Sequence, residues 1–286
     1  MGTVLRGWDF DDTTVWLRPV DLFLALELMT AGTSEGSSPS CLEIGVWKGG
    51  WLVQVVDAVP DAVGVGIDPY PGSPTLRQQV LERAAGRGLA RRVVLVSTRA
   101  EACAGHCSGV QEHREYSVIH IDGLHVEEQV TEDLRYAMTH CGELGTVIVD
   151  DYLHPAYPGV ASAMYQFLAE GQFAMFLATR NKAYLCRRKV HARRSAEIQQ
   201  AMDGAGLVWE RYNGERSSVR YVQPPDVMGF PVTLCLHPDN DERLLAGIAT
   251  PLHLKIRANA SRWVPPGALD ALRSVKRRIV KRAAAR

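Results

Sequence analysis

The stretch Cys41-Leu42-Glu43-Ile44-Gly45-Val46-Trp47-Lys48-Gly49-Gly50 decides how the chain reads. CLEIGV (41–46) is a short apolar run ending in glycine, and a helical pattern follows at about 49–59. A buried strand that feeds a helix through a glycine-rich turn opens a βαβ unit. The turn lies at the carboxyl end of its strand, where backbone without a Cβ lets a ligand approach closely. The spacing GxxxGG differs from the GxGxxG that cradles a pyrophosphate, so the turn suits a ligand without phosphates.

Outward from this turn the rhythm repeats. AVGVGID (62–68), VVLVS (93–97), YSVIHID (116–122) and TVIVDD (146–151) read as strands, with helical segments at roughly 74–88, 126–140 and 158–170. In VEEQVTEDLRYAMTH (126–140), Val126, Val130, Leu134 and Met138 share one face, and Cys141-Gly142 ends the helix. Such alternation predicts an α/β fold with a doubly wound, mostly parallel sheet covered on both faces. FAMFLATRNKAYLCRR (173–188) holds two apolar runs around Arg180-Asn181 and reads as a hairpin, which makes the last strand antiparallel. The expected organisation is an accessory or lid segment at 1–35 and an α/β domain at 36–190. A C-terminal extension at 191–268 and a basic amphipathic tail at 269–286 follow.

Composition is that of a globular protein: 286 residues, 46% hydrophobic, 22% charged, 32 basic against 32 acidic residues. It excludes disordered, collagenous and coiled-coil chains, and zero net charge argues against a general nucleic-acid binder. Charge is nevertheless segregated. From Leu269 onward seven basic residues face one acid, with Leu272, Val275, Ile279 and Val280 near one helical face. Such a tail suits peripheral contact with an anionic membrane, or is simply a solvated terminus. Six cysteines form no CxxC pair; Cys103, His106 and Cys107 are a weak metal motif, more in keeping with thiols packed on a helix. There is no signal-peptide pattern and no long apolar stretch, so the expected location is cytoplasmic.

The candidate site lies at the strand ends. Asp68 ends the second strand, where a carboxylate can accept hydrogen bonds from both hydroxyls of a ribose. Asp122 ends the fourth strand, and Asp150 and Asp151 the fifth. Three carboxylates converging at neighbouring strand ends repel one another, and a hard cation such as Mg2+ relieves that repulsion. A strand-end Asp can instead cap the next helix. His125, on the loop past Asp122, suits a general base at neutral pH. His120, alternating with Ile119 and Ile121 inside its strand, reads as structural. Tyr152 and His154 follow the double acid and are candidates for the acceptor pocket. Trp8, Phe10 and Trp16 could stack on a ring or form packing contacts.

ExGxxxGG (43–50) and GIDPY (66–70) resemble the first two motifs of class I S-adenosylmethionine (SAM) methyltransferases. HIDGLHVEEQVTEDL and GTVIVDDYLHPAYPGV resemble their metal-dependent O-methyltransferases, especially sugar O-methyltransferases of the macrocin and mycinamicin type. The resemblance covers roughly 40–190. It implies a Rossmann-like sheet of seven strands with N- and C-terminal additions. It implies SAM held by Glu43, Gly45, Gly49, Gly50, Asp68 and Asp122, with Ser97, Thr98 or Arg99 near the adenine. It also implies Mg2+ or another divalent cation on Asp122, Asp150 and Asp151, with His125 as base. The acceptor would be a hydroxyl of a sugar or glycosylated metabolite, and the chain is expected to form a homo-oligomer. Three rival readings remain: a catechol-type O-methyltransferase, a hydroxylase of the cephalosporin hydroxylase type, and a non-catalytic SAM-binding protein.

Overall fold

Strand β1 (Ser40–Ile44) lies between two parallel neighbours, β2 (Val63–Ile67) on one side and β4 (Tyr116–Ile121) on the other. The structure is a computed structural model that describes residues 18–34, 36–71, 73–103, 115–209, 226–237 and 239–247. Outside β2 lies β3 (Val93–Val96), and outside β4 lies β5 (Cys141–Val149), both parallel. Strand β6 (Phe173–Ala178) returns through a hairpin into β7 (Ala183–Arg187), which sits antiparallel between β5 and β6. The hairpin at Arg180-Asn181 and its antiparallel strand are as the apolar runs indicated.

Beyond β6 the sheet gains an eighth strand. After the two-stranded ribbon of β8 (Asp226–Val227) and β9 (Phe230–Pro231), β10 (Thr233–Leu234) pairs in parallel with β6. The order is β10-β6-β7-β5-β4-β1-β2-β3, one strand more than the seven expected. A two-residue strand is too short to leave a periodic signal. The order reverses between β1 and β4, so the crevice for a ligand opens outside the carboxyl ends of those two strands.

Helices cover both faces. Helix α1 (Pro19–Ala31), α2 (Gly50–Ala58), α3 (Pro74–Gly86) and α6 (His191–Gly204) share one apolar core. Helices α4 (Glu127–His140) and α5 (Pro158–Ala169) share the other. Helix α1 departs from the expected accessory segment. Leu22, Leu24, Leu28 and Met29 are buried in the core, and a helix apolar all round is an interior helix. Its buried Asp21 accepts hydrogen bonds from Thr179 Oγ1 (2.6 Å) and Tyr184 Oη (3.3 Å). Arg18 pairs at 2.7 Å with Asp241 on α7 (Asn240–Gly247).

Packing explains residues that the sequence pattern left unexplained. A Cβ on Gly66 of β2 would lie 2.6 Å from Val46 Cγ2 and 2.9 Å from Leu52 Cδ2, so glycine there lets α2 settle on the sheet. In α6, Arg194 is wholly buried. Its Nη2 donates to Leu28 O (3.0 Å) and Thr146 Oγ1 (3.1 Å), which joins α6 to α1 and β5. Val130 and Leu134 of α4 are buried as expected, whereas Val126 is the exposed N-cap and Cys141 begins β5 directly. Trp8, Phe10, Trp16, His106, Cys107 and the tail 269–286 lie outside the described residues. Among the described residues no helix is long and apolar enough to cross a membrane.

Candidate active site

The glycine turn after β1 is held by the acid after β2. Asp68 Oδ2 accepts the amides of Val46 (2.9 Å) and Trp47 (2.8 Å), and Oδ1 accepts that of Tyr70 (2.6 Å). A carboxylate has about four lone-pair sites, so one remains for an outside donor. Gly45 has φ +86°, and a Cβ there would lie 2.0 Å from the carbonyl oxygen of Asp122. The turn after β4 therefore passes directly over this glycine, and the Asp122 amide donates to Ile44 O at 2.8 Å.

Between these turns lies a cavity of about 340 Å³. Gly45, Asp68, Thr98, Arg99 and Asp122 line it. Trp47, Leu124, Gln129 and Asp133 also line it and went unnoticed in the sequence. Gln129 and Asp133 lie one turn apart on α4, each beside a residue of its buried stripe, and Asp133 is itself buried. Gly49 sits behind the cavity as the left-handed N-cap of α2 (φ +70°), and Gly50 is buried in the first turn. Ser97 is exposed and lies outside the lining.

Glu43 requires a correction. It is 2% exposed and does not line the cavity. Alternation along β1 turns its side chain under the sheet edge. There Oε2 accepts the Leu52 amide (3.2 Å) and Oε1 lies 3.2 Å from His120 Nδ1. Burial pushes its carboxyl up to about 7, against the pull of His120.

At the mouth of the cavity His125 Nε2 stands 3.3 Å from Asp122 Oδ1 and 4.0 Å from Asp151 Oδ2. Its ring stacks on Tyr157 (centroids 4.5 Å apart), which stacks in turn on His154 (4.7 Å). The Asp122 carboxylate beside it raises the His125 pKa above its ordinary value, partly offset by burial. Asp151 carries a non-glycine left-handed φ of +53° and a raised pKa, through burial and the neighbouring Asp150. Tyr152 is corrected too. It points into the core at 5% exposure, and burial raises its hydroxyl to about 12. The strained turn at Asp151 directs the next side chain inward, so Tyr157 takes the place expected for Tyr152. His154 is exposed, with Nδ1 accepting the Ala156 amide at 3.2 Å.

Asp150 is the largest surprise. Its Oδ2 pairs with the Lys182 ammonium, and Oδ1 accepts the Asp151 amide at 2.8 Å. Lys182 is itself buried and also reaches His120 Nε2 at 2.9 Å. An ammonium only donates, so Nε2 accepts and Nδ1–H is left to donate to Glu43. Burial would raise the Asp150 carboxyl, but the Lys182 ammonium outweighs it and holds the pKa low. The sequence reading balanced these acids with a metal ion and did not see this internal cation. Lys182 lies on the hairpin, distant in sequence from every strand-end acid.

Which groups fit a divalent cation follows from these contacts. His120, Asp122 and Asp150 bring ligand atoms within 4.8 Å of one another, but the Lys182 ammonium already bridges His120 and Asp150. Asp122 and Asp151 both face His125, at 3.3 and 4.0 Å.

Residues 42–152, less than half of the chain, match the profile of a family described as a methyltransferase domain. The sheet order is that of a Rossmann-like α/β fold. A search of curated proteins found no match. Among solved structures, the chain is similar to an O-methyltransferase of Bacillus cereus in complex with SAH. The identity is 14%, covering 59% of this chain and 80% of that one, with a TM-score of 0.46. It is also similar to the O-methyltransferase TomG of Streptomyces achromogenes in complex with SAM (16%, 61% and 80%, 0.46). A third is a TDP-rhamnose 3'-O-methyltransferase of calicheamicin biosynthesis (18%, 59% and 79%, 0.47).

Proposed function

We propose that the protein is a SAM-dependent O-methyltransferase that acts on a hydroxyl of a sugar or glycosylated metabolite, with His125 as general base. One observation carries the reading: Asp122 forms part of the wall of the cofactor-sized cavity and also contacts the base. The methyl donor and the proton acceptor are thereby set side by side at the same strand end. The methyltransferase-domain match over 42–152 supports the reaction class. Exposed Trp47, Leu124 and Tyr157 around the mouth suit the apolar face of a ring, which supports a sugar acceptor.

When bound, SAM supplies a methyl group already activated on a sulfonium, and a divalent cation such as Mg2+, held by Asp122 and Asp151, lowers the pKa of a nearby hydroxyl. The protein does the rest by placement. Gly45 admits the cofactor close to the backbone, and Asp68 offers its remaining lone pair to a ribose hydroxyl. Thr98 and Arg99 close the adenine end. His125, held by Asp122 and by the Tyr157 ring, takes the acceptor's proton at Nε2. The acceptor oxygen must lie about 3 Å from the methyl carbon, in line with the sulfur.

The test is mass-spectrometric: the full chain with SAM, Mg2+ and a panel of nucleotide sugars, glycosides and catechols. A product heavier by one methyl on a sugar hydroxyl is the expected result. Methylation of catechols alone would replace the acceptor, and no product with tight SAH binding would leave a cofactor-binding protein.

A further inference from the structure

Lys182 is a buried cation that the reaction scheme does not use. It lies at the end of the β6–β7 hairpin, where the backbone of Asn181 accepts the Tyr152 amide at 3.3 Å. The ammonium is the junction of two hydrogen-bonded branches. One runs through His120 (2.9 Å) to Glu43 and on to the Leu52 amide, in the helix behind the glycine turn. The other runs through Asp150 to the Asp151 amide. Asp151 stands in a left-handed conformation that is strained for a non-glycine residue, so something must hold it there. Its side chain faces His125.

We infer that Lys182 is a positioning residue: it clamps Asp150 so that the Asp150–Asp151 hydrogen bond fixes the strained turn and aims the Asp151 carboxylate at His125. A monopole buried between two strands holds its anion in one orientation, whereas an unpaired Asp150 would turn to water and release the Asp151 amide. The same cation ties the strand that carries the cofactor turn to the strand that carries the acids. The arrangement bears on the proposed function because it sets the base's surroundings, and so it rests on that reading.

The experiment compares Lys182→Met and Lys182→Arg in the full chain. Amide hydrogen exchange of Asp151 and the His125 ring resonances are followed by NMR, beside the Kd for SAH and, where turnover is measurable, kcat and KM. Lys182→Met is expected to lose protection of the Asp151 amide by at least tenfold and to shift the His125 ring signals. Its Kd for SAH should stay within about threefold while kcat falls at least tenfold, and Lys182→Arg should recover most of each loss. A folded Lys182→Met whose Asp151 amide and His125 ring match the parent overturns the proposal. Should that variant fail to fold, Lys182→Gln is read in the same way. Failure of both to fold, with Lys182→Arg intact, counts against positioning and for a purely structural cation. The exchange and ring signals need no turnover. Absence of methyl transfer by the parent protein would therefore strike the proposed function and leave the Lys182 measurement standing.

Discussion

At the residue scale, two positions decide the chemistry. As the proposed base His125 works only when neutral, and the Asp122 carboxylate 3.3 Å away raises its pKa. Protonation therefore persists to higher pH than for an ordinary histidine near 6.5, and the rate should climb with pH through that raised value. Asp122→Asn removes the leading cause, so the acid limb of the kcat profile should move to lower pH; an unmoved limb would assign it to another group. His125→Ala should lower kcat by about 10²–10⁴-fold with little change in SAH affinity, as for loss of a general base. A rate close to that of the parent protein would take His125 out of the mechanism. Gly45 is the second position. Gly45→Ala adds to the left-handed strain of about 1–3 kcal/mol a Cβ that meets Asp122 O at 2.0 Å. Calorimetry with SAH should show binding lost, since the two turns that form the cavity are forced apart.

At the element scale, close approach and buried polar ties hold the helices on the sheet. Gly66→Val puts a branched side chain where the space already belongs to Val46 and Leu52, and overpacking of this kind costs about 1–3 kcal/mol. A lowered midpoint in urea at unchanged slope is the expected outcome. Arg194 belongs to this scale too. Arg194→Ala removes three hydrogen bonds from a charged donor, each worth about 1.5–3 kcal/mol, and loosens α6 from α1 and β5. A clear fall in melting temperature is expected, and an unchanged one would show that these ties do not hold α6 in place.

At the scale of the whole molecule, the cofactor, cation and acceptor positions proposed above would meet where the strand order reverses, between β1 and β4. A ligand there touches turns from four strands and binds only the folded chain. Saturation at about 100 times Kd should stabilise the protein by about 2.7 kcal/mol. Adding SAH should therefore raise the unfolding temperature, and Mg2+ should raise it further through Asp122 and Asp151. Excess EDTA should remove the second increment and the methyl transfer while the first survives. Full transfer in EDTA would show that Lys182 and His125 balance the acids unaided.

The chain's own sequence determined the βαβ rhythm, the glycine turn, the hairpin and the row of strand-end acids, because these depend on local spacing and on side-chain alternation along single strands. The strand-end placement of Asp68, Asp122 and Asp151 was legible for that reason: each follows a strand whose end could be located. Tertiary structure alone decided the rest. Helix α1 became core, because an all-round apolar helix shows what it avoids and not where it goes. Strand β10 joined the sheet on two residues, too few for any period. Glu43 and Tyr152 turned inward, since which face is buried at a strand end or a strained turn depends on what packs there. Lys182 met Asp150 because β7 is inserted antiparallel beside β5. That pairing is long-range in sequence, so no spacing rule within a segment could announce it, and it determines whether the acids must be balanced by an ion from outside or are partly balanced from within.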